Sequence, residues 1–151
     1  MVCFGAWQFK CPPKDGPGSS GGPGTFEFLG FTHYWGRSRK GHPVVQRKTS
    51  KRSLRRSVQA ISQWCRRHCH LPLREQQRVL SLKLIGHYRY FGITGNYRQL
   101  GRFARCVQLQ WRRWLGRRSN SKRMTWERFN RLWQQYALPR PRIYHCYVAN
   151  L

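Results

Sequence analysis

The stretch Cys65-Arg-Arg-His68-Cys69-His70 is the first in this chain whose residue types suit chemistry. Cysteine and histidine are zinc ligands, and Cys65 and Cys69 are spaced by one helical turn. A structural zinc site needs four ligands, however, and no second pair stands at finger-like spacing. The two histidines also fall where a helix is expected to end, a place that favours cations. No metal is therefore expected. Cys106 or Cys146 beside a histidine would supply a thiol nucleophile, but a cysteine in an apolar stripe is ordinarily a small core residue. The carboxylates offer less still. Asp15, Glu27, Glu75 and Glu127 are the only four, and they are scattered. Two-metal phosphoryl transfer needs clustered acids, and glycoside hydrolysis needs a facing pair. Neither pattern occurs, so no catalytic residue and no cofactor is expected.

The basic residues tell more. Thirty Lys and Arg face those four acids, for a net charge of +26 over 151 residues. Such a chain repels itself unless a polyanion neutralises it. An ordinary solvated surface mixes both signs. Nucleic acid or another polyanion is the expected partner. Arg55, Arg56, Lys83, Arg89, Arg98, Arg102, Arg105, Arg112 and Arg113 are the candidate binding residues, expected to form a ridge along one side of a helical bundle. The planar fork of arginine pairs bidentately with phosphate and stacks on bases. Tyr88, Tyr90 and Tyr97 are candidate rings for unpaired bases, with core packing as the alternative for each. Trp111 and Trp114 lie on an apolar stripe and read as core.

These side chains need elements to hold them, and the stretch from Leu84 to Leu100, LIGHYRYFGITGNYRQL, is central. It ends one helix through Leu84, Ile85, Tyr88 and Phe91. Gly92 then stops that helix, Gly95 gives a second bending point, and Asn96 is placed to cap the next helix with its side-chain oxygen. Before it, residues 1–24 are rich in Pro, Gly and Ser and read as a flexible linker, without the strand and Lys-Ser/Thr context of a phosphate-binding loop. TFEFLGFTHYWG alternates like a strand, with Phe26, Phe28 and Phe31 on a buried face. PVVQRKTS returns through Val44 and Val45, so residues 25–49 form a β-hairpin.

Four helices follow. The first spans about 51–69, capped by Ser50 or Thr49, with a stripe of Leu54, Val58, Ile61, Trp64 and Cys65. The second spans about 72–91 after the break at Pro72, with Leu73, Val79, Leu80, Leu82, Leu84 and Ile85 available for burial. The third spans about 97–117, with Leu100, Phe103, Ala104, Val107, Trp111, Trp114 and Leu115. RSNSKR is a polar linker. Thr125 then caps a helix over about 126–136, with Met124 and Phe129 as a hydrophobic staple and Glu127 favoured by the helix dipole. The tail is extended, with a short strand from Ile143 to Val148. The fold class is mainly α, a three- to four-helix bundle with a small N-terminal β-hairpin.

No stretch approaches the roughly 18–20 apolar residues of a membrane span. MVCFGAWQFKCPP lacks the charged start and apolar run of a signal peptide. The irregularly spaced cysteines fit a reducing cytoplasm. Basic amphipathic helices also suit an anionic membrane surface, but long apolar faces that cover one another read as a bundle.

Several stretches, taken in order and spacing, resemble the C-terminal part of bacterial group II intron reverse transcriptase–maturases. They are TFEFLGFTHYWG with RSRKG, the run from TSKRSLRRSVQAISQWCRRH to LPLREQQRVLSLKL, GHYRYFGITGNYRQL, FARCVQLQWRRWLGRRS and MTWERFNRLWQQYALPRPRI. The resemblance covers roughly residues 25–145. It implies that residues 25–49 correspond to the last hairpin of the polymerase palm. Residues 50–120 then correspond to the helical thumb, the maturase-specific domain X, and 121–151 to a C-terminal helix and extended tail. It further implies a protein that binds group II intron RNA and assists its folding and splicing. In the family, the whole protein also copies RNA into DNA as part of a mobile genetic element. The family's Tyr-x-Asp-Asp motif is absent here, and there are too few aspartates to replace it, so polymerase activity is not expected. The chain reads as a truncated, RNA-binding, maturase-type protein without bond chemistry. The alternatives are a reverse transcriptase thumb working with a separate palm fragment, or a nonfunctional remnant. In the family the palm covers the face of Phe26, Phe28 and Phe31, so an aggregation-prone chain is expected.

Overall fold

The computed structural model describes residues 24–38, 41–118 and 124–146. The linker readings over 1–23 and 119–123, and the tail beyond Cys146, lie outside the described residues. Three strands precede four helices: β1 (Phe26–Phe28), β2 (Phe31–Arg37), β3 (Pro43–Thr49), α1 (Lys51–Arg67), α2 (Leu73–Phe91), α3 (Tyr97–Leu115) and α4 (Trp126–Gln135). The chain is mainly helical with a small antiparallel sheet, as the patterning predicts.

The sheet has one strand more than expected. Its order is β1-β2-β3, with Phe28 opposite Phe31 and Phe31 opposite Thr49. Leu29 and Gly30 both take positive φ, 48° and 79°, which closes a two-residue turn inside what reads as one strand. Two central residues at positive φ match the right-handed twist of a hairpin. This turn also overturns the expected burial of two of the three phenylalanines. Phe31 packs against the helical core, but Phe28 is 60% exposed and Phe26 is exposed and stacked on His33, with centroids 4.7 Å apart. β1 folds back along β2 instead of continuing toward the helices.

The helices form as their apolar periods dictate. Ser50 caps α1, its Oγ accepting from the Ser53 N–H at 3.2 Å. Ile61 and Cys65 are buried, and Leu54, Val58 and Trp64 pack against the core from its margin. On α3, Leu100, Phe103, Val107, Trp111 and Leu115 are buried, while Trp114 is half-buried. Thr125 caps α4 by accepting from Arg128 N–H, and Phe129 is buried with Met124 packed beside the core. α2 departs from expectation. Its buried line is Gln76, Leu80, Leu84, Tyr88 and Phe91, and Leu82 is 60% exposed. Gln76 occupies a core position because every polar group on it is used. Its Nε2 donates to the carbonyls of Cys69 and Leu71, and its Oε1 accepts from Trp111 Nε1 at 2.9 Å.

The α2–α3 corner gathers the rest of the chain. Ile93 N–H donates to Phe91 C=O across Gly92, whose φ of −79° and ψ of 56° make an inverse γ-turn. A Cβ there would collide with the Tyr88 carbonyl and approach that of Arg142 to 2.9 Å. Gly95 takes a φ of 87°, the left-handed region that glycine tolerates. Asn96 stands at the N-cap position but makes no side-chain cap. Instead its Oδ1 accepts from Thr49 N–H at 2.9 Å, and its Nδ2 donates to Thr49 Oγ1 and Phe91 C=O. Those partners hold the amide away from the start of α3 and tie β3 to the corner. The tail docks here too, with Tyr144 and His145 N–H groups both donating to Gly92 C=O. The strand expected from Ile143 shrinks to one bridge, between Ile93 and His145, over the described part of the tail.

Candidate nucleic-acid interface

The basic face is built on α3. Arg98, Arg102 and Arg105 follow one another at steps of four and three, and Arg112 and Arg113 come seven and eight further on. That spacing puts them on the side opposite the buried stripe. Arg98, Arg102, Arg105 and Arg113 are exposed. Neither α1 nor α3 carries an acidic residue.

α1 lies against α3 and leaves a groove of about 480 Å³ between them. Lys51 and Arg55 line it from α1 and Arg113 from α3, with Gln59 and Gln110 between. Ser62 also lines this groove. Its Oγ accepts from Trp114 Nε1 at 3.1 Å and donates to Gln110 Oε1 at 2.9 Å. Arg56 is exposed on α1.

A second cleft, of about 450 Å³, opens between the sheet, the end of α2 and the tail. Arg89, Tyr90, Phe28, His33, Arg47 and His145 are among its lining residues. Tyr90 is held at the rim, its hydroxyl donating to Leu29 C=O at 3.1 Å and its ring stacked on Phe31, yet it is 54% exposed. His145 Nε2–H donates to Arg89 C=O at 2.9 Å. Partial burial, and then the charge of Arg47, hold the His33 imidazole below its ordinary value.

The predicted residues thus do not form one ridge. Arg55 and Arg113 share the groove, Arg98, Arg102 and Arg105 share the open face of α3, and Arg89 belongs to the sheet cleft. Lys83 stands with its Nζ 5.9 Å from the centroid of Trp64. Arg112 is committed to structure, with Nη2 donating to Met124 C=O and its guanidinium 3.8 Å over Trp126. Of the three tyrosines, Tyr97 is 57% exposed at the start of α3, as a base-stacking ring requires. Tyr88 is not available for stacking. It is 1% exposed, with its hydroxyl donating to Pro139 C=O, and burial pushes that hydroxyl well above its ordinary pKa.

Packing commits Cys65 and His68 of the Cys/His stretch, while Cys69 Sγ stays 3.8 Å from His70 Nδ1. Cys65 is buried and its thiol is pushed up to about 12 by desolvation, so it stays protonated. His68 stacks on Trp64 at 4.9 Å, its Nδ1 3.0 Å from the Trp64 carbonyl oxygen. Among the described residues, no group of three or more His, Cys, Asp or Glu is placed to hold a metal ion. Cys106 is half-buried in the groove and Cys146 is exposed, so neither is a core cysteine. Glu27, Glu75 and Glu127 are exposed on β1, α2 and α4.

Sequence reasoning passed over Lys51, Arg47, His33, His145 and Arg117. Lys51 was within reach, since it lies one turn before Arg55 on a predicted helix. The cleft residues carried no local signal, because four segments distant in sequence meet there. No family model, no curated protein and no solved structure matches the chain.

Proposed function

We propose that this chain is an RNA-binding protein of the maturase type, acting in the cytoplasm on structured RNA. Group II intron RNA is the target implied by the resemblance of residues 25–145. The mechanism is electrostatic clamping. Guanidinium groups on α1 and α3 neutralise phosphates where RNA helices converge, and Tyr90 and Tyr97 take unpaired bases. No bond is made or broken by the protein. One observation carries the reading: Arg98, Arg102, Arg105 and Arg113 stand in solvent on a helix without a single acid, next to a groove lined by Lys51 and Arg55. The apolar stripes of α1 and α3 turn inward, and no described helix is long and apolar enough to cross a membrane.

The test is binding to a folded group II intron RNA and to an unrelated RNA of equal length, across a salt series. Each phosphate contact contributes a slope of about −0.7 to −0.9 in log K against log salt. An advantage of about tenfold for the intron at physiological salt, about 1.4 kcal/mol, supports the reading. Equal affinities that vanish together as salt rises would leave only a nonspecific polycation.

A second reading is favoured by a specific observation, the exposure of Phe26, Phe28, Leu29 and Val45 on the small sheet. It is a thumb fragment that completes a separately encoded polymerase palm. Co-purification of the chain with such a palm, lost in Phe28→Ser, supports it. Independent elution of the two proteins removes it.

A further inference from the structure

The end of α3, the two residues after it and Met124, just before α4, border a cleft of about 360 Å³, lined by Leu109, Arg112, Arg113, Gly116, Arg117 and Met124. Half of its lining residues are arginines, and none is an acid. Among the described residues, the ion pair found is Glu75 with Arg78 on α2, well apart in sequence from these three guanidiniums. Basic residues at a helix C-terminus complement the helix dipole, an effect of about 0.3–1 kcal/mol for each. That effect explains cations in the last turn. It does not explain three of them facing one cleft, where they repel one another.

The three are also positioned. Arg112 is fixed by Met124 C=O at 3.2 Å and by the face of Trp126 at 3.8 Å. Arg117 lies 4.9 Å from the centroid of Trp114, and Arg113 lies 6.0 Å from the same ring. Aromatic faces hold guanidinium groups without using up their N–H donors. Arg113 and Arg117 remain exposed. Gly116 also lines the cleft, and a Cβ added there would come within 3.2 Å of Met124 Cβ. Arginines that line one cleft suit a tetrahedral dianion or the oxygens of a phosphodiester through their planar forks.

We infer that the α3–α4 cleft is a phosphate-binding site, in which Arg113 and Arg117 grip the group and Arg112 sets its position. The inference deepens the RNA-binding reading on which it rests, by assigning one backbone phosphate to one place. It also adds Arg117 to the interface.

The experiment compares the full chain with two single variants, Arg117→Gln, whose side chain lines this cleft and not the α1–α3 groove, and Arg66→Gln. The second removes the same charge from an exposed position at the end of α1. The probes are a short single-stranded RNA and inorganic pyrophosphate. The cleft variant is expected to lose about tenfold in RNA affinity, with a salt slope shallower by roughly 0.7 per phosphate released, while the α1 variant loses less than about threefold. Equal losses in the two variants overturn the site. The pyrophosphate arm separates the sources of the anion. A rise in melting temperature for the wild type and the α1 variant, absent from the cleft variant, assigns the site to a free phosphate group. The RNA effect without that rise assigns it to the polymer backbone. If the intron RNA shows no advantage while the cleft variant alone weakens short RNA, the maturase-type reading falls and the phosphate site stands.

Discussion

His87 shows how much a single half-buried side chain decides. Its ring lies between Phe91, 4.5 Å away, and Phe103, 3.7 Å away, and its buried Nε2 has no hydrogen-bond partner among the described residues. Desolvation drives its pKa down to about 4. The unfolded chain protonates the same group near 6.5. Between those values the unfolded state binds more protons, so stability rises with pH across the window and is lost as pH falls through it. The expected loss from pH 7 to pH 4 is on the order of 2–3 kcal/mol from this group alone. His87→Phe keeps the ring stack and removes the titration. Denaturant midpoints at both pH values should converge in that variant, and an unchanged acid sensitivity would refute the assignment. Nothing local in GHYRYF marks the His87 ring for packing between Phe91 and Phe103. The same holds for Gln76 and Asn96, polar residues that become core because partners arrive from up to 47 positions away. Tyr88, open in the sequence between base stacking and core packing, is core for a related reason, since a tyrosine on a half-apolar helix face suits either side until the tail supplies Pro139 C=O as its acceptor.

At the scale of elements, the sequence was far more legible. α1 and α3 carry one apolar stripe each at a period of 3.6, and their bounds fall within two residues of those expected. α2 offered two, because Leu80, Leu82 and Leu84 alternate. The hydrogen bond from Trp111 to Gln76 belongs to the face that won. The sheet was harder, since Leu-Gly is not a strong turn dipeptide. Leu29 sits at a φ of 48°, where a branched side chain is strained by about 1–2 kcal/mol. Asparagine tolerates that region and precedes glycine in the favoured hairpin turn. Leu29→Asn should therefore stabilise the chain by about 0.5–1 kcal/mol, read as a higher denaturant midpoint at unchanged slope. Leu29 is 65% exposed, so little packing is lost, and the Tyr90 hydroxyl still finds the backbone carbonyl at position 29. A lower midpoint would mean that the leucine side chain, not the turn, holds β1 in place.

Over the whole molecule, charge dominates, and it acts with opposite sign in two states. A net charge of +26 makes the isolated chain repel itself. Among the described residues the ion pair found is Glu75–Arg78, solvent-exposed and contributing at most about 0.5 kcal/mol, so salt has little attraction to screen there and much repulsion. The melting temperature of the free chain should rise as salt is raised from low to physiological strength. RNA reverses this. Bound RNA stabilises the folded chain through mass action, and its affinity falls with salt because each phosphate contact releases counterions. With saturating RNA at low salt, the melting temperature should therefore start high and fall as salt increases, until the two curves meet where binding is lost. Differential scanning fluorimetry with and without RNA reads both slopes in one series. Curves that run parallel would mean that the RNA does not bind the folded arginine face, and that the excess of basic residues on α1 and α3 serves no folded-state contact with a polyanion.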